Sequence, residues 1–205
     1  MEKTVYFRSF EESDAPLIYQ WTNDDELKKL SVGLNRRICM DEAVEWVKAR
    51  MRHNPYQAWF AICAIETKEM IGYMCLTDIH YINSSANFSG IIIGNPNYRD
   101  GQAYIESYLF MFEYAFERLN LNRVYGSALL SHKTSVLMAE VMFQKTEGIF
   151  REAIFKNGRY YDECVCAILK KEYFEHKENG DFEMSSILNR ILKQKRKKID
   201  KLNNQ

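Results

Sequence analysis

The sequence predicts a mixed α/β fold in which most neighbouring strands are antiparallel. The predicted elements follow the order β, α, α, β, β, β, α, β, α, β, β along the 205 residues. The run Ile91-Ile92-Ile93 is typical of a central strand with both faces buried. Asn157-Gly158, between two apolar runs, is typical of the turn of a β-hairpin. These features indicate one layered α/β domain without internal repeats.

The first half of the chain is predicted to contain four strands and two helices. The strands are expected at Thr4–Phe10, Ala58–Ile65, Met70–Ile79 and Phe88–Gly94. Ser13-Asp14 directly before Pro16 is a helix-start signal, so the first helix follows it. The second helix starts near Asp41, carries apolar residues at helical spacing and ends at Asn54-Pro55.

The second half is predicted to add two helices, three strands and a tail. A loop over Asn95–Gln102 precedes a long helix that ends near Leu119. The next elements are a strand, a short helix and a closing hairpin, at Asn122–Leu129, Ser135–Met142, Gly148–Phe155 and Tyr161–Leu169. Residues 1–173 are interpreted as one domain and residues 174–205 as a basic, amphipathic helical tail. Such a tail suits contact with a partner, or packs one stripe on its own domain.

Charge, hydropathy and cysteine usage argue against a nucleic-acid-binding, membrane-spanning, secreted or metal-binding protein. Lys+Arg and Asp+Glu are both 28, so no net charge attracts nucleic acid. No apolar run approaches the roughly 18 residues that cross a bilayer, and the N-terminus lacks the apolar core of a signal peptide, which predicts a cytoplasmic protein. The five cysteines form no CxxC pair and lie mostly in apolar runs. They are interpreted as buried hydrophobic residues, and no metal site is predicted.

The segment Ile91–Ser107 combines a strand, a loop with a single central glycine and the start of a helix. Backbone N–H groups and the helix dipole at such a start favour a phosphate group. A glycine before a helix also occurs in ordinary turns, so the interpretation depends on the longer runs around it.

Three longer runs resemble a known enzyme family. They are TDIHYINSSANF at Thr77–Phe88, FEYAFERLNLNRVYG at Phe112–Gly126 and TEGIFREAIFKNGRYYDE at Thr146–Glu163. Their order and spacing resemble the GCN5-related N-acetyltransferase (GNAT) family, in the branch of ribosomal-protein alanine, spermidine and amino-sugar acetyltransferases. The resemblance spans about Thr4 to Tyr173. It implies a mixed, mostly antiparallel sheet of about seven strands with helices on both faces.

The resemblance also implies acetyl-CoA as co-substrate. In the family, the strand before the loop pairs with the pantetheine arm, and the loop wraps the pyrophosphate with backbone N–H groups. The residues that this carry-over assigns to acetyl-CoA are Ile91, Ile92, Ile93, Gly94, Tyr98, Arg99, Asp100, Gly101, Gln102, Ala103, Tyr104, His132 and Met138.

Two registers fit the family loop, which reads Arg/Gln-x-x-Gly-x-Gly/Ala. Aligned on the following helix, Arg99 takes the first position and Gln102 falls on the glycine position. Aligned on the preceding strand, Gly101 and Ala103 fill both small positions and Tyr98 replaces Arg or Gln. We prefer the second register, because a β-carbon at the glycine position would crowd the phosphates.

Two family positions that often assist proton transfer hold other residues here. The Tyr that can protonate the leaving thiolate is replaced by Met138 or, with a one-residue shift, by Ala139. The Glu that receives the amine proton in some members is replaced by Asn87, or by Phe88 if the strand has a bulge. Positioning and backbone hydrogen bonds supply much of the catalysis of amine acetylation, so activity is still expected.

Four side chains are candidates to replace the missing acid and base: Asp78, His80, Glu106 and His132. Of these, His80 and His132 are chosen as catalytic candidates, together with Asn87 at the family's Glu position. His80 follows the third strand, near the expected acceptor, and His132 begins the short helix near the expected thioester.

The predicted activity is transfer of acetyl from acetyl-CoA to a primary amine by direct attack. The acceptor is expected to be a polyamine, a nucleotide-linked amino sugar or a protein N-terminus. The acidic run Asp24–Glu26 suits a cationic amine, whereas Arg36, Arg37 and Arg52 suit a phosphate-bearing substrate. A homodimer is the expected assembly. The alternative is a catalytically degenerate module that binds acyl-CoA or a partner.

Overall fold

The computed structural model describes residues 2–30 and 36–203. These residues divide into two compact units, an N-terminal unit over Glu2–Leu121 and a C-terminal unit that begins at Asn122. Each unit contains its own set of antiparallel strands.

The N-terminal unit contains four antiparallel strands in the spatial order β1-β2-β3-β4. They are β1 (Val5–Arg8), β2 (Ala58–Ala64), β3 (Met70–His80) and β4 (Ser85–Ile93). All four predicted strands form, but β1 ends at Arg8, two residues before the predicted end, and β4 starts at Ser85, three residues earlier than expected.

The helices of this unit cover both faces of its strands. They are α1 (Ala15–Asn23), α2 (Asp25–Leu30), α3 (Met40–Met51) and α4 (Gln102–Glu113), which continues into a π-helical turn over Tyr114–Arg118. Ala43 and Val47 of α3 share a buried cluster with Ala61 of β2. Successive residues of a strand face opposite sides, so Phe60 lies on the other face, where it contacts Phe110 of α4 with ring centroids 5.1 Å apart.

The C-terminal unit contains the strands β5 (Arg123–Leu129), β6 (Lys145–Lys156) and β7 (Arg159–Leu169), in the order β5-β7-β6. Its helices are α5 (Lys133–Val141), α6 (Lys170–Glu178) and α7 (Met184–Asn203). Asn157 and Gly158 have φ angles of 50° and 79°, the positive values that the predicted hairpin turn requires.

The predicted tail consists of most of α6 and the whole of α7, and its last two residues lie outside the described part. Ile187 of α7 is fully buried, and the Arg190 guanidinium lies 4.4 Å from the ring centre of Phe143. Arg190 Nε also donates to the carbonyl of Val141, so the start of α7 packs on its own unit. The predicted domain boundary after residue 173 falls inside α6 and stays a prediction.

The expectation of a doubly buried triple-isoleucine strand is wrong in detail. Ile93 is buried, but Ile91 and Ile92 are only half-buried, and the preceding Ser89 and Gly90 are exposed. β-branched composition reports that a strand forms, whereas burial depends on what covers each face.

Candidate active site

The loop between β4 and α4 has a defined conformation. The N–H of Asn97 donates to Asn95 Oδ1 at 3.0 Å, which starts a 3-10 turn over Pro96–Tyr98. Gly101 is the N-cap of α4 and has a φ of 105°, a left-handed conformation in which other residues are strained. No atom of the described residues lies within 4 Å of where its β-carbon would be, so the positive φ is the reason for a glycine here, and space is left beside the helix start.

The start of α4 fits an anionic group. The first-turn amides of a helix have no carbonyl acceptor inside the helix, and Ala103 lies in this turn of α4. The first of these amides, that of Gln102, already donates to Asp100 Oδ1 at 3.0 Å. Gly101 is the cap and the small Ala103 lies in the first turn. The register that we prefer from the sequence stays a prediction.

Arg99 and Gly94 complete the connection from β4 to the loop. Arg99 Nε donates to the carbonyl of Ile93 at 2.9 Å, and Nη2 donates to the carbonyl of Gly94 at 2.7 Å. The guanidinium therefore satisfies the carbonyl groups at the end of β4. A β-carbon on Gly94 would lie 2.1 Å from the Trp21 ring, so this glycine is required by close packing.

Glu106 is a structural residue. Its buried carboxylate accepts the backbone N–H groups of Thr4 and Val5 at 2.9–3.1 Å, and the Thr4 hydroxyl at 3.0 Å. Gln102 Nε2 donates to the same carboxylate at 2.9 Å. These bonds tie α4 to β1 and hold the Gln102 side chain on the β1 side. Tyr104 lies against Tyr108, with ring centroids 5.8 Å apart.

A surface pocket of about 320 Å³ brings three of the predicted loop residues together, Tyr98, Asp100 and Ala103. The start of β1 and the end of β2 line its other side, so it opens on the β1–β2 side of the loop.

A bulge interrupts β4 directly before the isoleucines. Phe88 pairs with Leu76 and Ile91 with Met74, so Ser89 and Gly90 together face the single residue Cys75. Gly90 has a φ of 116°, and both bulge residues are exposed. A bulge of this kind turns backbone amides and carbonyls out of the regular ladder and offers them to a ligand.

The α3-side surface of the strands carries a row of polar side chains next to this bulge. Asn87 pairs with Thr77 across β4 and β3, so the two side chains share this face. The Thr77 and Ser89 hydroxyl oxygens are 2.5 Å apart. Burial raises the pKa of the Cys75 thiol in the same row to about 12, so this group stays protonated at neutral pH.

His80 and Asp78 lie at the far end of β3, both exposed. The backbone N–H of Asn83 donates to His80 Nδ1 at 3.0 Å, so this ring atom caps the turn after β3. Asp78 has a φ of 51° and lies in a second bulge, where β3 carries one more residue than β4 between two paired positions. The roles predicted for His80 and Asn87 stay predictions.

His132 and Met138 lie in the C-terminal unit, on α5. His132 is its N-cap residue, is half-buried and shares a short hydrogen bond between Nδ1 and the Ser135 hydroxyl. Burial, with a smaller contribution from Lys156, lowers the pKa of His132, so its imidazole is neutral at pH 7. Met138 and the adjacent Ala139 are both buried.

The environment of His132 predicts a pH-dependent stability. Its folded-state pKa lies below the unfolded value of about 6.5, so the unfolded chain binds the proton more readily and stability falls as the pH drops through about 6.5. In thermal unfolding from about pH 7.5 to pH 5, His132→Gln is expected to lose less stability than the wild type. The exposed His53→Gln variant is the control and should follow the wild type. Identical profiles for all three proteins would contradict the burial of His132.

The charged clusters predicted at the acceptor end are mostly engaged within the chain. Asp25 pairs with Arg37 at 3.2 Å, and Asp24 Oδ1 accepts the N–H groups that open α2. Arg36 pairs with Glu42 at 2.6 Å. Arg52 is exposed and has no ion pair within residues 2–30 and 36–203.

A cluster that the sequence does not reveal lies on the same α3-side surface. The Arg50 guanidinium is 3.9 Å from the ring centre of Trp46 and 4.6 Å from that of Trp59. Tyr73 adjoins both indoles, with ring centroids 5.5 and 6.4 Å away. Helical spacing places Arg50 and Trp46 on one face of α3, but nothing local in the sequence pairs them with strand residues.

No group of three or more His, Cys, Asp or Glu residues in the described ranges is arranged to hold a metal ion. Within the same ranges, no helix has the length and apolar character needed to cross a bilayer.

The strands with helices on both faces, the β4 bulge and the glycine-capped start of α4 define an α/β domain suited to an acyl-CoA. A family profile described as an acetyltransferase (GNAT) domain matches residues 4–142. The chain therefore belongs to the GNAT acetyltransferase family, and it is an acetyl-CoA-dependent N-acetyltransferase. The family, fold class and co-substrate predicted from the sequence are confirmed.

Several similar proteins have known names or structures. The uncharacterised N-acetyltransferase YnaD of Bacillus subtilis is 24% identical over 172 residues, which cover 83% of this chain and 96% of that protein. The spermidine N(1)-acetyltransferase of Vibrio cholerae is 31% identical over 112 residues, or 54% of this chain and 63% of that enzyme. A crystal structure of the Vibrio cholerae spermidine N-acetyltransferase with CoA and spermine has a TM-score of 0.76 at 26% identity, covering 83% of this chain and 98% of that one.

Proposed function

We propose that the N-terminal unit binds acetyl-CoA along β4 and residues 94–104 and acetylates a primary amine on the α3-side surface. The observation that carries the proposal is Gly101, which caps α4 in a left-handed conformation a few residues after the end of β4. The space beside Gly101 and the first-turn amides of α4 suit the diphosphate of the coenzyme.

The bulge at Ser89 and Gly90 is proposed to receive the thioester. Acetyl-CoA supplies an acetyl group whose carbonyl is activated when a backbone N–H donates to its oxygen. Gly90 carries no side chain, so a ligand can approach the bulge closely.

The amine is proposed to attack from the row formed by Asn87, Thr77 and Ser89. These neutral groups hold and orient an amine, since amide and hydroxyl oxygens accept its N–H bonds. None of them removes a proton at neutral pH. His80, on β3 of the same unit, stays the proposed proton acceptor. The role predicted for His132, in the C-terminal unit, stays a prediction.

The proposed acceptor is a small primary amine. The protein is proposed to form a homo-oligomer and to act in the cytoplasm. The spermidine acetyltransferases among the relatives support a small amine, and a dodecameric structure of the Vibrio cholerae enzyme supports assembly. The exposed aromatic side chains of the β6–β7 hairpin, Phe150, Phe155 and Tyr160, are suited to contact another copy.

The test is calorimetric titration of the full chain with acetyl-CoA, followed by a thiol-release assay. Saturable binding below about 1 mM is expected, with release of CoA thiol when a suitable primary amine is added. The amine panel contains polyamines, amino sugars and peptides. Absence of binding would refute the proposal, and binding without thiol release across the panel would favour the alternative of a binding module.

A further inference from the structure

We propose that Arg50 binds a carboxylate of the acceptor, so that the substrate class is an amine that also carries an acidic group. This inference rests on the proposed function, because it assumes that the amine binds on the α3-side surface.

One edge of the Arg50 guanidinium has no partner. Nη1 donates to the carbonyl of Trp46 at 3.1 Å. Nε is buried and has no hydrogen-bond acceptor within the described residues, and the same residues offer none to Nη2. Nε and Nη2 form the edge that binds both oxygens of a carboxylate. In the unliganded chain Nε is closed off from solvent, so the proposed binding includes a small shift of the guanidinium along the indole faces that opens this edge and keeps the cation over both rings.

Among the residues that the structure describes, none supplies a counter-charge to this cation. The titratable groups that interact with it are Cys75 and Tyr73, and burial raises the pKa of both, which keeps them neutral at pH 7. Desolvation lowers the pKa of Arg50 itself. This desolvated cation contacts two indole rings and one carbonyl. A bound anion would therefore offset part of its desolvation cost and accept its remaining N–H bonds.

Arg50 lies at a useful distance from the proposed amine position. Trp59 beneath it pairs with Cys75 across β2 and β3, and Cys75 faces the bulge at Ser89 in β4. Neighbouring strands are about 4.8 Å apart and β2 and β4 are two strand spacings apart, so Trp59 beneath the guanidinium and the bulge are separated by roughly 10 Å. An amine and a carboxylate joined by a short aliphatic chain span this distance.

The same cluster disfavours a plain polyamine. The faces of Trp46 and Trp59, which would attract a cationic ligand, are already covered by Arg50. Asp25 is paired with Arg37 at the surface, so a second ammonium group would have to compete with this guanidinium. Arg52, at the end of the same helix, adds another positive charge.

The experiment compares 6-aminohexanoate with hexane-1,6-diamine, which have equal chain length and differ in the group distant from the amine. The wild type is expected to favour the amino acid in kcat/KM by about 10-fold or more. Arg50→Gln should abolish this preference by raising KM for 6-aminohexanoate. KM for acetyl-CoA should stay unchanged. Arg50→Lys keeps the charge without the planar edge and should retain part of the preference.

Lys48→Gln is the matched control, because it removes one positive charge from the exposed side of α3 and should keep the wild-type ratio. Near-ultraviolet circular dichroism checks that the tryptophan cluster is retained in each variant. A preference of the wild type for the diamine, or an unchanged ratio in both Arg50 variants, would overturn the inference. A preference for 6-aminohexyl phosphate would overturn the assignment to a carboxylate.

The outcomes separate this inference from the proposed function. If both amines are acetylated with the same ratio in all variants, the inference alone fails. If acetyl-CoA does not bind or no amine is acetylated, the proposed function fails and the inference falls with it.

Discussion

Gly101→Trp is expected to weaken acetyl-CoA binding by about 10- to 100-fold. Residue 101 has a φ of 105°, a conformation that tryptophan adopts only with strain. The indole would also occupy the space that is open beside the first turn of α4. Both effects act where the diphosphate is proposed to lie. Isothermal titration with acetyl-CoA measures the change directly.

Gly158→Trp is the matched control for this substitution. Gly158 also has a positive φ, 79°, and no described atom within 4 Å of its β-carbon position, but it lies in the hairpin turn of the C-terminal unit. Its variant should carry similar local strain and bind acetyl-CoA as the wild type does. Unchanged affinity in Gly101→Trp would show that the coenzyme does not bind at this loop.

Glu106→Gln is expected to destabilise the N-terminal unit by about 1–3 kcal/mol. The carboxylate accepts hydrogen bonds through both oxygens, from the backbone of Thr4 and Val5 and from the side chains of Thr4 and Gln102. An amide of the same shape places an N–H₂ group against one set of these donors, which leaves buried donors facing each other.

Thermal unfolding together with hydrogen exchange at the amides of Thr4 and Val5 measures this effect. Faster exchange at these two amides is expected, because they lose their acceptor. Glu113→Gln, also on α4, removes only an exposed pair with Arg118 and should have little effect. Equal stability of the two variants would contradict the structural role of Glu106.

Most of the fold follows from local patterns. Alternation and apolar runs predict all seven strands of the described residues, and Pro16 and Asn157-Gly158 predict a helix start and a hairpin turn that the structure contains. These signals work because each depends on a few adjacent residues: a fixed φ at proline, a positive φ at glycine, a repeat of two or 3.6 residues. The separate α2 was not predicted, because its charged residues were interpreted as a binding cluster and not as a helix.

The site was predictable only in its backbone part. Gly101 and Ala103 could be placed because a helix start after a strand is a local arrangement. Glu106 was predicted as a candidate acid or base, yet its partners at Thr4 and Val5 are about a hundred positions away in the chain. No local sequence pattern indicates a role for Arg50, because its partner Trp59 belongs to another element.

The linear order of residues was enough to indicate the family and to predict all seven strands and most helices, since periodicity and turn chemistry act over neighbouring positions. The phosphate-type loop stays a prediction from the same local signals. The roles of the charged side chains depend on the tertiary structure. Whether a carboxylate or a guanidinium is engaged within the chain or open to a ligand depends on which distant groups pack around it, and the burial that strengthens each interaction exists only after packing.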